Sequence, residues 1–213
     1  MQMYLSRIKL DTKKRETMIA LSNPQKIHGA IESALGIEHE RLRSLWRIDE
    51  LRGETYLLVL TKDMPNFSTV SEQFGYNSGI VETKDYDKLL NRITTGSRWR
   101  FKLTANPTKC HKTPDDDSPR GKITSLISVP YQEEWLCKRA EANGFSLSLE
   151  DFLVTKTNNY AFRKNGRQNV YILSVTFEGI LTVQDADLFR KALTEGIGRG
   201  KAYGNGLLTV VQA

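Results

Sequence analysis

The chain has 213 residues, of which 39% are hydrophobic, enough for one large domain or two small ones at the usual ~100–150 residues each. Thirty-one basic against 25 acidic residues leave a net charge of +6, a mild excess that suits a polyanionic partner without demanding one. No run approaches the ~20 apolar residues that cross a bilayer, and the N-terminal residues lack the charged start, apolar block and cleavage site of a secretory signal. Cys110 and Cys137 are too few for a disulfide framework, and the Cys110-His111 pair has no spaced partner to complete a zinc site. The expectation is a soluble, cytoplasmic protein with no membrane segment, no metal and no cofactor.

Residues 3–10 alternate as a strand, with Tyr4, Ile8 and Leu10 on one face and Arg7 and Lys9 on the other. A polar loop is predicted over 11–17. Ser22-Asn23-Pro24 then marks a helix start, with Asn23 as cap and proline at the first helical position. The helix runs to about residue 35 on a stripe of Ile27, Ile31, Ala34 and Leu35, and Gly36 ends it. Strands are predicted at 45–48 and 55–61 and a weaker helix at 86–93. At 98–104 Trp99, Phe101 and Leu103 alternate with Arg98, Arg100 and Lys102, a strand with one apolar and one basic face. The order is βαββαβ, the ferredoxin-like motif also used by RNA-recognition modules.

A polar connector follows over 106–121. Its Asp115-Asp116-Asp117 run between Pro114 and Pro119 reads as a solvated loop rather than a metal site. A second unit is then predicted: a strand at 123–129, a helix at 131–142, short strands at 151–155 and 160–164, a strong strand at 170–178, a helix at 184–194 and a last strand at 207–212. The fold class is therefore α+β, two tandem ferredoxin-like (RRM-like) βαββαβ domains over 1–105 and 122–213. Between residues 96 and 114, and again between 152 and 177, there are several basic residues and no acid. Such stretches suit either a polyanion or plain solvated strand faces.

The segment Gly196-Ile-Gly-Arg-Gly-Lys-Ala-Tyr-Gly-Asn-Gly206 places five glycines around Arg199 and Lys201. It is not a Walker loop, because Glu195 stands where the first glycine belongs and Ala202 replaces the hydroxyl. Nor is it a dinucleotide fingerprint: Gly198-Arg-Gly200 leads on to Tyr203, and the loop runs from helix to strand rather than from strand to helix. A tight helix–strand turn needs fewer glycines, so the segment reads as an anion-facing loop in which Gly198 and Gly200 let backbone N–H groups approach phosphate.

Phe177-Glu-Gly179 followed by a strand, a helix and the Gly196–Leu208 segment resembles the C-terminal signature of CRISPR repeat-processing endoribonucleases. The Met3-Tyr-Leu-Ser6 strand, the Asn23-Pro-Gln-Lys-Ile-His28 helix and Leu103-Thr-Ala-Asn-Pro107 resemble the CasE branch, which serves the type I-E Cascade complex. The resemblance spans nearly the whole chain in order. It implies recognition of a CRISPR repeat RNA hairpin in the crRNA precursor, one cut at its base, and retention of the product among Cascade subunits. It also implies a metal-independent reaction in which the upstream 2′-hydroxyl attacks, leaving a 2′,3′-cyclic phosphate.

Of three histidines, His28 matches the position of the family's catalytic histidine, as general acid, base or both; His39 and His111 sit in polar stretches and read as surface residues. The family's well-known members carry tyrosine three residues before that histidine, where this chain has Gln25. Gln25 can hydrogen-bond a 2′-hydroxyl but cannot usefully take its proton, so Lys26, Tyr203 or Tyr160 are the residues that could assist, and slow cleavage is expected. The resemblance also places a basic hairpin in the groove of the RNA stem. Asn165-Gly166 is a strong two-residue turn signal, and Arg163, Lys164 and Arg167 around it are the expected RNA binders. Arg199 and Lys201 would face phosphates from the glycine-rich loop, and Arg98, Arg100 and Lys102 would continue the basic track. A catalytically weak or inactive hairpin-binding subunit remains the alternative to a nuclease.

Overall fold

The computed structural model describes residues 2–36, 44–76, 79, 81–111, 121–164 and 168–213. The first sheet has strands β1 (Met3–Leu10), β2 (Leu45–Leu51), β3 (Glu54–Lys62) and β4 (Val81–Asp85), in the antiparallel order β2-β3-β1-β4. The β2–β3 turn has Arg52 and Gly53 both at positive φ (52° and 77°), the geometry that matches strand twist in two-residue hairpins. Helices α1 (Arg15–Ser22), α2 (Pro24–Leu35) and α3 (Ser68–Phe74) cover one face. There Ile8, Leu10, Leu57 and Val59 meet Ala20, Ile27, Ile31 and Phe74 in one buried cluster. The Asn23 side chain accepts from the Gln25 N–H at 3.2 Å and Pro24 opens α2, as predicted.

The second sheet contains β5 (Arg98–Ala105), β8 (Phe145–Ser146), β9 (Phe152–Lys164), β10 (Gln168–Val183) and β11 (Leu208–Gln212). Its order is β11-β5-β10, with β9 and then β8 along the other edge of β10. Helices α5 (Val129–Ala140) and α6 (Ala186–Glu195) pack on the face that carries Trp99, Phe101, Leu103, Val175 and Phe177. A short helix α4 (Asp87–Leu90) precedes this sheet, and β6 (Thr108–His111) and β7 (Lys122–Ser125) form a separate two-stranded hairpin. The fold is thus mixed α+β, built on antiparallel sheets.

Three expectations are corrected. The strand at 98–104 does not close the first sheet; β5 lies at the centre of the second, between β10 and β11. Its apolar face of Trp99, Phe101 and Leu103 is buried at 4% exposure or less and must be covered by helices on that side. The first sheet is closed instead by β4, whose sequence Val-Glu-Thr-Lys-Asp hides its role because no residue in it is fully buried. The strand expected at 123–129 is only β7, which pairs with β6 and not with the main sheet. The region read as a loop over 11–17 enters α1 at Arg15. The acidic run Asp115-Asp116-Asp117, His39 and the Asn165-Gly166 turn lie outside the described residues.

The two sheets are held together by apolar packing and by one buried cation. Met3, Leu45 and Leu60 of the first sheet join the core of the second. Arg47, on β2 and 2% exposed, donates from Nη1 to the Lys102 and Leu207 carbonyls (2.8 and 2.9 Å) and from Nη2 to Thr209 Oγ1 (2.8 Å). It also grips Asp49 through two bonds of 2.8 Å each. Burial pushes the Asp49 carboxyl upward, but the hydrogen bonds and charge of Arg47, with Lys102 beside it, prevail and hold it below its ordinary value. That stabilisation is complete above the unfolded carboxylate value of ~3.9 and is lost as pH falls through the folded one.

Arg47→Leu would leave Asp49 half-compensated and two carbonyls without their donor. The expected cost is ~3–5 kcal/mol, read as a lowered urea midpoint with unchanged slope. A loss no larger than that of one ordinary hydrogen bond, ~1 kcal/mol, would mean that apolar contact alone joins the sheets.

Candidate active site and RNA interface

α2 buries Ile27 and Ile31 against the first sheet, which leaves His28, the next residue round the helix, on the rim and about one-third exposed. The rim opens on a cleft of about 560 Å³. Its far wall is the glycine-rich loop: Gly198, Arg199, Gly200, Lys201 and Tyr203 line it together with His28, Glu32 and Ser44. The two features singled out in sequence thus face each other across one cavity, one supplied by the helix beside the first sheet and the other by the connection into β11.

The loop's five glycines have a backbone explanation. All five have φ between 76° and 94°, the left-handed region that side chains with a Cβ avoid. At Gly204 a Cβ would also lie 2.8 Å from the buried Trp46 ring, and at Gly198 3.1 Å from Trp135. The glycine count therefore reflects a tightly coiled loop pressed against two tryptophans. The anion-facing reading rests on Arg199, Lys201 and position rather than on glycine content. Arg199 is exposed, and its backbone is bridged to Asn106 at the end of β5. Lys201 lies in a single helical turn (residues 201–203) and donates from Nζ to the Glu195 carbonyl at 2.6 Å, so it also caps the end of α6.

Gln25 sits on α2 one turn before His28, and its side-chain oxygen is buried. Lys26 is exposed on the same helix and does not line this cleft. Tyr203 lines the cleft and meets Phe162 of β9 edge-to-face, with ring centres 5.2 Å apart. This contact joins the glycine-rich loop to the long β9–β10 hairpin. The hairpin's described register closes at Lys164 with Gln168. Arg163 is exposed on it, Lys164 ends β9, and Arg167 lies outside the described residues.

The structure does not bring the β5 basic residues to His28. Arg98 and Arg100 are exposed further along the strand, and Lys102 is neutralised by Asp49 (3.4 Å) and Glu178 (3.3 Å). His111 is exposed on β6, remote from this cleft, and contributes to a separate groove beside α5. Among the described residues no three His, Cys, Asp or Glu side chains are grouped to hold a metal ion, and no helix is long and apolar enough to cross a membrane.

Two cleft residues escaped the sequence reading. Glu32 Oε1 lies 3.8 Å from His28 Nδ1, an ion-pair distance one turn along α2; its spacing of four from His28 places both on one helix face and was a usable signal. Ser44 is 8% exposed, and its buried hydroxyl has no partner among the described residues. Nothing in its local sequence marks it, because the fold alone carries it to α2.

The profile of the family described as CRISPR associated protein matches residues 3–212. The CRISPR-associated endoribonuclease Cse3 of Thermus thermophilus is 31% identical, over 98% of this chain and 99% of that one. The Cascade subunit CasE of Escherichia coli K12 is 28% identical, over 73% of each. Thermus thermophilus Cse3 bound to an RNA representing a pre-cleavage complex superposes with a TM-score of 0.81 at 29% identity, over 99% of this chain and 100% of that one. A chain of a CRISPR RNA-guided surveillance complex gives 0.65 at 26% identity, over 99% and 100%. A likeness that runs from β1 to β11 at this identity leaves one assignment: the chain belongs to the Cse3/CasE family of CRISPR-associated endoribonucleases.

Proposed function

We propose that this chain binds the hairpin of a CRISPR repeat transcript and cuts it at the base of the stem without a metal, then keeps the product as a subunit of a Cascade-type complex in the cytoplasm. The single observation that carries this reading is the cleft that His28 shares with Arg199 and Lys201. It is supported by kinship with an endoribonuclease whose structure is described as bound to an RNA representing a pre-cleavage complex, and with a chain of an RNA-guided surveillance complex.

The fold carrying this site reads as two ferredoxin-like units in tandem. The strand order β2-β3-β1-β4 of the first recurs as β9-β10-β5-β11 in the second, when each sheet's strands are matched by order of appearance. On this division the second unit starts at Arg98. The stretch 106–121, expected to link two domains, then lies inside the second unit, between its first strand and α5.

The chemistry follows from what the cleft offers. The 2′-oxygen upstream of the cut attacks the adjacent phosphorus, the bond from phosphorus to the 5′-oxygen breaks, and a 2′,3′-cyclic phosphate and a 5′-hydroxyl result. One proton leaves the 2′-hydroxyl and one reaches the 5′-oxygen. His28 is the titratable group placed to move them, with Glu32 beside its Nδ1 to orient the ring. Arg199, Lys201 and the loop's backbone N–H groups face the extra negative charge on the phosphorane. Gln25, one turn before His28 on α2, can hold the 2′-hydroxyl but is a poor base, and Tyr203 is the phenol that lines the cleft. Arg163, Lys164 and Arg167 on the β9–β10 hairpin bind the stem, and their phosphate contacts weaken with salt.

Incubation with a repeat hairpin in EDTA should give a 2′,3′-cyclic end with wild type, and His28→Ala should cut at least ~100-fold more slowly while still binding. Cleavage that survives His28→Ala sinks the assignment, and wild type that binds but never cuts supports a hairpin anchor without catalysis, the reading that Gln25 favours. Gln25→Tyr should raise the single-turnover rate by ~10-fold or more, within the range of one proton-transfer group. An unchanged rate would mean that a residue lining the cleft already does this work.

A further inference from the structure

Ser44 lines the cleft together with His28, Arg199 and Lys201, and no described residue pairs with its hydroxyl. The residue is 8% exposed, and its Oγ is buried without a hydrogen-bond partner. A buried hydroxyl that lacks an acceptor destabilises the fold that carries it. Trp46, Tyr86 and Trp135 also bury a polar atom without a partner, but each brings a large ring around which the cores pack. None of the three lines this cleft. Serine brings little besides its hydroxyl. Alanine would fill the same place without the unsatisfied group, so folding alone does not explain the residue.

The position is also held firmly against the glycine-rich loop. The three residues that follow, Leu45, Trp46 and Arg47, are each 2% exposed or less. Leu45 closes on Gly196, where an added Cβ would lie 2.8 Å from its Cδ2. Trp46 closes on Gly204 in the same way, and Arg47 holds the Leu207 carbonyl. The start of β2 and the 196–206 loop thus form one wall, fastened at both ends of the loop. Ser44 stands in that wall with Arg199 and Lys201, and α2 brings His28 to the same cleft. The Ser44 hydroxyl turns on a single side-chain bond, so meeting a group in the cleft asks nothing of the backbone.

We propose that Ser44 contacts the substrate: its hydroxyl donates to a non-bridging oxygen of the scissile phosphate, and the bond strengthens as negative charge builds on the phosphorane. The proposal rests on the reading that this cleft cuts RNA, and it adds a neutral donor to the two cations. Cations attract phosphate at a distance and from many directions. A hydroxyl acts only on an oxygen placed within ~2.5–3.0 Å of it, so it discriminates one phosphate oxygen from the other. The unpaired state of the free protein then has a reason. A hydroxyl already bonded to a protein carbonyl would have to give up that bond before it could serve, whereas Ser44 gains its first acceptor when the phosphate arrives. The proton stays on Ser44 throughout, and proton transfer is left to His28.

The test compares wild type, Ser44→Ala and Ser44→Cys on one repeat hairpin in single-turnover cleavage, with oxygen or a single sulfur at either non-bridging position of the scissile phosphate. Ser44→Ala should slow cleavage of the all-oxygen RNA by ~10-fold or more, while its urea midpoint rises because a buried unsatisfied group has gone. A purely structural serine would not move rate and stability in opposite directions. Ser44→Cys, which keeps a weak donor, should fall between the two in rate. Sulfur is a poor acceptor, so one of the two phosphorothioate isomers should be cut more slowly than the oxygen RNA by wild type. That penalty should largely vanish with Ser44→Ala, whose contact is already lost. A smaller loss of rate in Ser44→Ala overturns the proposal and leaves cleavage in the His28 cleft standing. A loss of rate with an undiminished sulfur penalty overturns it as well, and so does one accompanied by a lowered urea midpoint, which returns Ser44 to packing. Wild type that cuts both isomers as fast as the oxygen RNA, a measurement that needs no variant, also overturns it. Wild type that cuts no hairpin at all overturns the proposal together with the functional reading beneath it.

Discussion

A guanidinium with no exposure to speak of is the pivot of this molecule. Arg47 is on the first sheet, but three of its hydrogen bonds end on β5 and on the backbone and side chain leading into and along β11. β11 is the strand that the glycine-rich loop feeds, and β2 lies beside the helix that carries His28. The clamp therefore sets the distance between His28 and a cationic loop that are some 170 residues apart in sequence. Asp49 makes the burial tolerable. A buried arginine without a bidentate carboxylate would cost more than its carbonyl bonds return.

The same clamp divides the space between the sheets by charge. On one side Arg199 and Lys201 line a cleft whose only described acid is Glu32, beside His28. On the other, Arg47, Lys102 and Lys156 are paired off and the wall is neutral. Tyr203 stands at the boundary, braced by Phe162, so the β9–β10 hairpin and the His28 cleft share one aromatic contact.

Much of this was legible in the residues. Asn23-Pro24 and the Ile27/Ile31 stripe fix α2 and leave His28 on its rim; the apolar alternation of β10 and the stripe of α6 are equally plain. What the residues concealed was partnership. β5 reads as a strand anywhere, and nothing local says which sheet it joins; that choice is made by Val175, Phe177 and Leu208 in cross-strand contact with it. β4 has no buried residue to announce it, and α1 and α3 owe their helicity to packing of Ala20, Val70 and Phe74 on the first sheet rather than to strong local signals. The glycine-rich loop was found for a partly mistaken reason. Its glycines serve the backbone path against Trp46 and Trp135, and its two cations are what point to phosphate. Glu32 was visible as a helical neighbour of His28, whereas Ser44 became part of the site only through the fold.

The most direct test of the account is a structure of the protein with an uncleavable 2′-deoxy repeat hairpin. The account predicts that the scissile phosphate sits in the cleft, within the ~2.6–3.2 Å reach of a hydrogen bond from both the His28 imidazole and a donor of the 196–206 loop. A stem held by the β9–β10 hairpin with its scissile phosphate away from either His28 or that loop would contradict it.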